Sequence, residues 1–302
     1  MTARILDPSK LAAAYREEVR RDIAALGRPV VLVGLLVADH GPSMTYADYT
    51  RIGCEDVGVR FDLRHRRKLE IEPAIHEANG DPSVDGIIVY YPVFGTERDP
   101  WLRDAVEPGK DIEGLHSYWS RCLYANKRWV DEARTAKAIL PCTPLAILKL
   151  LGAARPEPAP EARPFEGQRV VIFNRSEVVG RPLATMMAND GAEVASFDLD
   201  GAQMFTPSAR GATVAESSIT RAEALRSADI VITGVPSATF DLVRAAELRP
   251  GAICLNFSTR KNFHEDALEA ASVFIPRVGP MTVAMALRNT VRLSRSDVRP
   301  RP

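Results

Sequence analysis

The chain has 302 residues, 46% hydrophobic and 26% charged, a balance that suits a globular protein and excludes a disordered or fibrous one. At roughly 100–200 residues per domain, this length predicts two domains. Lys plus Arg and Asp plus Glu each number 39, so the formal net charge is zero and no basic excess points to nucleic acid.

The segment before Arg28 places Ile5, Leu11, Ala14, Val19 and Ile23 at helical spacing among charges. It predicts an amphipathic surface helix. It lacks the apolar core of a signal peptide, and Asp7, Glu17 and Glu18 argue against a transit peptide. The longest apolar run, Val30 to Ala38, has nine residues. A membrane span needs about 20, so this run reads as a buried strand and no membrane partner is expected. Ser43 to Val57 reads as a helix, with Ser43 as N-cap and Gly58 just past the end. Val59–Arg64 reads as a strand, Glu70–Ala78 as a helix closing at Asn79-Gly80, and Val84–Tyr91 as a strand ending at Pro92. This βαβαβ alternation implies a parallel sheet covered by helices.

Pro156, Pro158, Pro160 and Pro164 exclude regular structure between Ala153 and Glu166, which marks a domain boundary. Beyond it the alternation restarts. Strands are expected at Arg169–Asn174, Glu193–Asp198, Ile230–Thr233, Ile253–Phe257 and Val273–Ile275. Helices are expected at Gly180–Asp190, with Gly191 as C-cap, and at Arg221–Ser227. Thr282–Leu293 reads as an apolar helix that packs back on the first domain. The expected fold is α/β with two α/β domains. The first covers residues 1–150 and is joined by 281–302; the second, 151–280, is a Rossmann-like doubly wound parallel sheet. Cys54, Cys122, Cys142 and Cys254 are far apart and form no CxxC pair. That argues against a metal site or disulfide framework and fits a reducing cytoplasm.

The turn after the second domain's first strand reads VVIFNRSEVVGRP, residues 170–182. A dinucleotide turn needs small residues beside the pyrophosphate and a helix N-terminus to meet its charge. Asn174 stands where the first Gly is usual, and Asn tolerates positive φ. Ser176 offers a hydroxyl, Gly180 permits close packing, and Arg175 can reach phosphate or adenosine. The next strand ends at Asp198, about 20 residues on, where a carboxylate binds the ribose hydroxyls of NAD and repels an added 2′-phosphate. Asp198 is the first candidate for that role and Asp200 the second. NAD is therefore preferred to NADP, with Arg175 as the contrary signal.

Several segments together resemble the methylenetetrahydrofolate dehydrogenase/cyclohydrolase family. They are Tyr46 with its helix, DGIIVYYP (85–92), KDIEGLH (110–116), LPCTP (140–144), NRSEVVGRPLA (174–184) and VGPMTVAM (278–285). VYYPVFG, KDIEG, NRSEVVGRPLA, ANDGA (188–192), ITGVPS (232–237) and KNF (261–263) look closer to the monofunctional NAD-dependent branch known from yeast cytosol. The resemblance implies a homodimer and an interdomain cleft in which 5,10-methylenetetrahydrofolate meets nicotinamide. It places Tyr46, Glu113, Gly279, Pro280 and Thr282 at the substrate. Glu113 stands where the family has an Asp that binds the pterin ring, while Asp111 caps or braces the loop. Thr282 is read as a helix cap. Asn256 replaces a family Asp near the cofactor.

Bifunctional members of the family carry Tyr-x-x-x-Lys on the first-domain helix, and residues i and i+4 share a helix face. Here Tyr46 is followed by Thr50, and Tyr90 stands where those members place a supporting Gln. A Thr hydroxyl does not titrate near neutrality, and Arg51 lies about 100° further round the helix. Hydride transfer needs no protein base, because the substrate nitrogens supply the electron push. Hydrolysis of the methenyl bridge does need proton transfer. The expectation is an NAD-dependent dehydrogenase without cyclohydrolase activity. The alternatives are a bifunctional enzyme that hydrolyses by another route, a dehydrogenase of another pterin one-carbon carrier, and a ligand-binding pseudoenzyme.

Overall fold

A computed structural model describes residues 2–155 and 162–295. Pro156, Pro158 and Pro160 of the expected connector, and the end of the 281–302 segment from residue 296, lie outside the described residues. The elements are β1 (Arg4–Ile5), α1 (Pro8–Leu26), β2 (Val31–Leu36), α2 (Pro42–Val57), β3 (Arg60–His65), α3 (Ile71–Gly80), β4 (Gly86–Val89), α4 (Arg98–Ala105), α5 (Ser117–Tyr124) and α6 (Cys142–Ala154). They continue with β5 (Arg169–Phe173), α7 (Gly180–Asn189), β6 (Glu193–Asp198), β7 (Gly201–Thr206), β8 (Thr213–Ser217), α8 (Arg221–Ser227), β9 (Ile230–Thr233), β10 (Ile253–Asn256), α9 (Ala267–Ala270), β11 (Val273–Ile275) and α10 (Gly279–Ser294).

The chain divides into two compact units. One takes in Lys10–Cys122, Lys127–Cys142 and the chain from Thr282. Its sheet is three parallel strands in the order β3-β2-β4. All of β4 and nearly all of β2 are buried, as their continuous apolar runs require. Val33, Leu35, Ile87 and Val89 pack against Ile71 and Ile75 of α3 and Leu102 of α4. α2 begins at Pro42, whose fixed φ suits a first helical turn, and ends at Gly58 in the left-handed region at φ 84°. Ser43 is not its N-cap. Gly41 takes that position, and the Ser43 hydroxyl instead donates to the Tyr91 carbonyl at 3.1 Å.

The other unit takes in Met1–Ser9, Leu123–Asn126 and Thr143–Met281. Its eight strands run β1-β11-β10-β9-β5-β6-β7-β8. Six of them are parallel, with Val171, Phe173, Val231 and Cys254 in the core beneath α8. Two features differ from the sequence reading. The N-terminal segment is not one helix: Arg4 pairs with Val273 at the sheet edge, and α1 starts only at Pro8, where the missing N–H costs nothing. The parallel sheet is also extended by antiparallel β7 and β8. Asp198 opposes Gly201 across a two-residue turn, and Gly201 sits at φ 111°. The Asp200-Gly201 dipeptide is a hairpin signal that a search for helix-strand alternation passes over.

Candidate functional site

In the three-stranded unit, α2 brings Tyr46 against Tyr90, which follows β4. The rings meet edge to face, with centroids 5.4 Å apart and planes at 88°. Thr50, fully buried, donates its hydroxyl to the Tyr46 carbonyl one turn earlier at 2.8 Å. Arg51 lies on the exposed side of α2, with its guanidinium 2.9 Å from Glu55. The hydroxyls of Tyr46, Tyr90 and Tyr91 are buried; that of Tyr90 faces the Thr50 side chain, and those of Tyr46 and Tyr91 have no hydrogen-bond partner among the described residues. Burial pushes all three phenols well above their ordinary range, and the Glu113 carboxylate adds to the effect. None of them is an acid or base near neutrality. The unpartnered buried hydroxyls of Tyr46 and Tyr91 are what a polar ligand would satisfy.

The KDIEG loop supplies the acids. Asp111 accepts the backbone N–H groups of Glu113 at 3.0 Å, Gly114 at 3.1 Å and His116 at 2.8 Å, so both its oxygens brace the loop. Burial lifts its carboxyl to about 6, with those N–H groups opposing the rise. Among the described residues, no backbone N–H supports Glu113 in this way. Burial, and then the charge on Asp111, push its carboxyl to about 8, against the pull of Arg103. Its free oxygens are the ones left to accept from a ligand. Lys110 turns away from this site: its ammonium donates to the carbonyls of Ala78, Asn79 and Asp81 at 2.7–2.9 Å, closing the end of α3. The loop is tied to α10 by Asn289, whose side-chain amide donates to the Ile112 and Leu140 carbonyls at 2.8 and 3.1 Å.

Gly279 and Pro280 form the first turn of α10, and Thr282 lies inside that helix, so Thr282 is not an N-cap. A Cβ at Gly279 would meet nothing within 4 Å, which leaves the helix entry open on that side.

In the eight-stranded unit, the turn from β5 to α7 is closed by its own side chains. Asn174, at φ 149°, accepts at Oδ1 from the Ser176 N–H and hydroxyl and donates to the Gly234 carbonyl at 3.0 Å. The Ser176 hydroxyl also accepts from the N–H groups of Val179 and Gly180 as α7 begins. A Cβ on Gly180 would fall 1.9 Å from the Asn174 carbonyl oxygen, so only Gly fits. Asp198 stands exposed at the end of β6, accepting from the N–H groups of Arg175 at 2.7 Å and Leu199 at 2.8 Å.

Arg175 does not extend toward a ligand. Its side chain is only 7% exposed and folds onto the β6–β7 turn, donating to the Ser196 carbonyl at 3.0 Å and pairing with Asp200. The guanidinium that argued for a 2′-phosphate is thus neutralised in place. Asn256 likewise faces inward: its amide donates to the Ser258 and Arg260 carbonyls and organises the loop after β10.

Sequence reasoning missed Arg103, Tyr91, Cys142 and Asn289. Arg103 lies over the Tyr91 ring, 5.4 Å from its centroid, with Nε buried and unpartnered among the described residues. Cys142 is fully buried beside Ile112, and burial drives its thiol far up. Helical spacing in α4 gives only a weak cue for Arg103, because the preceding loop sets which face of that helix turns inward.

Residues 6–113 match the family model for the tetrahydrofolate dehydrogenase/cyclohydrolase catalytic domain, and residues 141–298 match the NAD(P)-binding domain of the same family. The chain is 39% identical to the NAD(+) methylenetetrahydrofolate dehydrogenase of Saccharomyces cerevisiae over 308 residues, covering 95% of each. It is 38% identical to that of Schizosaccharomyces pombe over 303 residues, covering 97% of this chain and 93% of the relative. The solved structure of the NAD-dependent 5,10-methylenetetrahydrofolate dehydrogenase from Saccharomyces cerevisiae aligns with a TM-score of 0.90 at 38% identity, covering 98% of each chain.

Proposed function

Because this chain belongs to the tetrahydrofolate dehydrogenase/cyclohydrolase family, we propose that it transfers a hydride from 5,10-methylenetetrahydrofolate to NAD, giving 5,10-methenyltetrahydrofolate, without cyclohydrolase activity. The observation that carries the second half is the position one turn after Tyr46. Thr50 occupies it, buried and hydrogen-bonded to backbone, and the buried Lys110 ammonium is held elsewhere by three carbonyls. No group there gains or loses a proton near neutral pH.

The cofactor half rests on three features. The start of α7, cleared by Gly180, suits a pyrophosphate. The exposed Asp198 carboxylate suits two ribose hydroxyls. Arg175, paired with Asp200, is not available to a 2′-phosphate. When bound, NAD supplies the hydride acceptor. In the other unit, Glu113 accepts from the N–H groups of the pterin edge, and Tyr46 lines the ring's pocket. The acids of the KDIEG loop place negative charge where the methenyl cation develops. Gly279, Pro280 and Thr282 are the substrate-facing residues of α10. The four free, buried cysteines suit a reducing cytoplasm, and a homodimer is the assembly the family resemblance implies.

The test is a spectrophotometric assay with methylenetetrahydrofolate and either NAD or NADP. NADH should form with a methenyl absorbance that persists, and NADP should support little turnover. Enzyme-dependent decay of the methenyl product to the formyl form would overturn the proposal.

A further inference from the structure

We propose that Asn262 is a positioning residue for the nicotinamide end of NAD, acting through the backbone of Val235. This rests on the reading of the β5–α7 turn and Asp198 as the cofactor site. In the eight-stranded sheet, β5 leads on to β6 on one side, and the chain returns to β9 on the other, both pairings parallel. Such a reversal opens a crevice outside the carboxyl ends of β9 and β5, where doubly wound sheets take their ligands. Asp198 ends β6, and Gly234-Val235 follows β9, so the two stand on opposite sides of β5. A dinucleotide with one ribose at Asp198 and its pyrophosphate at the start of α7 runs on toward Val235 with its nicotinamide.

The backbone after β9 is gripped from two directions. The Gly234 N–H donates to the Phe173 carbonyl at 3.0 Å, and the Gly234 carbonyl accepts from Asn174 Nδ2 at 3.0 Å, which ties it to the nucleotide turn. Val235 is held from the other side. Its N–H donates to Asn262 Oδ1 at 2.9 Å, and its carbonyl accepts from Asn262 Nδ2 at 3.0 Å and from the Ser258 hydroxyl at 2.9 Å. One buried amide thus takes both backbone groups of one residue, and since one partner donates and the other accepts, that amide has a single orientation. Asn262 is itself fixed. Its own carbonyl accepts from the Val243 N–H at 3.0 Å, and the next residue, Phe263, meets Phe274 edge to face with centroids 5.4 Å apart. Beyond Val235 the chain is exposed at Pro236 and Ser237. Asn262 therefore sets where that exposed segment leaves the sheet, a task that gives the KNF segment its meaning: Phe263 anchors and Asn262 clamps.

The comparison is wild type with Asn262→Ala, Ser258→Ala and Asp198→Ala, each titrated calorimetrically with NAD and with ADP-ribose, which lacks the nicotinamide. Asn262→Ala should raise the Kd for NAD by about tenfold and leave that for ADP-ribose unchanged, because the clamp acts on one end of the cofactor only. The kcat for NADH formation should fall by about 10–100-fold in the same variant, the cost of a misplaced reacting ring. Ser258→Ala removes one of the two donors to the Val235 carbonyl and should weaken NAD in the same selective way, by less. Equal weakening of both ligands by Asn262→Ala, or weakening of neither, would overturn the inference. Should that variant not fold, the same two results in Ser258→Ala would do so. Asp198→Ala distinguishes the inference from the reading beneath it and should weaken both ligands. If it weakens neither, the cofactor site is misread. If it weakens both while Asn262→Ala spares NAD, only the role of Asn262 fails.

Discussion

Gly180→Ala is the sharpest geometric test of the nucleotide turn. The added Cβ would stand 1.9 Å from the Asn174 carbonyl oxygen, 2.5 Å from its carbon and 2.6 Å from Oδ1. Helix α7 cannot retreat, because Leu183, Ala184, Met187 and Ala188 behind it are fully buried. The loop must therefore move by about 1 Å, since packed interiors leave no slack. That movement strains the core, at about 1–3 kcal/mol. It also opens two hydrogen bonds, Asn174 Nδ2 to the Gly234 carbonyl and Ser176 N–H to Asn174 Oδ1, at about 1 kcal/mol each. The total is about 3–5 kcal/mol of stability, read by urea denaturation. The displaced N–H groups should raise the calorimetric Kd for NAD by about 10–100-fold. Folate binding without NAD serves as the control and should hold. Unchanged stability together with unchanged NAD affinity would show that the turn is not built as described.

Other perturbations probe the remaining parts. Asp198→Ala should raise KM for NAD by about 10–100-fold and raise the NADP-to-NAD ratio of kcat/KM, since charge-assisted hydrogen bonds are worth about 1.5–3 kcal/mol; a fixed ratio would refute the assignment. Glu113→Gln should stabilise the fold at pH 9 but not at pH 4. The carboxyl moves from 4.5 to about 8 on folding, so its protonated form favours the folded state, and stability falls as pH rises between those values and then levels off. The effect has an upper bound of about 5 kcal/mol above pH 8; equal melting shifts at both pH values would count against it. Lys110→Met leaves three buried carbonyls without their donor and should lower stability by about 3–5 kcal/mol. A urea midpoint within error of wild type would deny Lys110 that role.

Much of the fold is legible because period and punctuation agree. β2 and β4 read as continuous apolar runs because both faces are covered, and α7 and α8 are bounded by Gly180 and Thr220. What escapes is chemistry decided by the partner. Nothing local tells Ser43 to bond Tyr91 across 48 residues, or Arg175 to fold onto Asp200. The spacing of Tyr46 and Thr50 on one helix face is visible in sequence. The neighbour that completes the pair, Tyr90, is brought there only by the sheet. Asn289 stayed hidden for the same reason: it acts on the KDIEG loop from a helix distant in sequence.

Most groups of the proposed substrate pocket hold their protons still. Its phenols are locked neutral by burial, its hydroxyl at Thr50 is bound to backbone, and its amine at Lys110 is turned to the end of α3. What remains mobile in charge is the pair of acids, Asp111 ionising first because three N–H groups receive it, and Glu113 following. Removal of hydride from the methylene bridge creates a cation and releases no proton at that carbon, so negative charge on the ionised acids lowers its barrier. Hydrolysis of the same cation demands that water lose a proton and a ring nitrogen gain one, and neither the buried phenols nor the Thr50 hydroxyl does this near neutral pH. The same arrangement thus favours the oxidation and offers no proton-transfer group at position 50 for the next step. Cyclohydrolase activity would therefore need more than one substitution. A lysine at position 50 would enter a fully buried site beside two phenols, where desolvation opposes its charge until the pocket around Tyr90 is rebuilt with it.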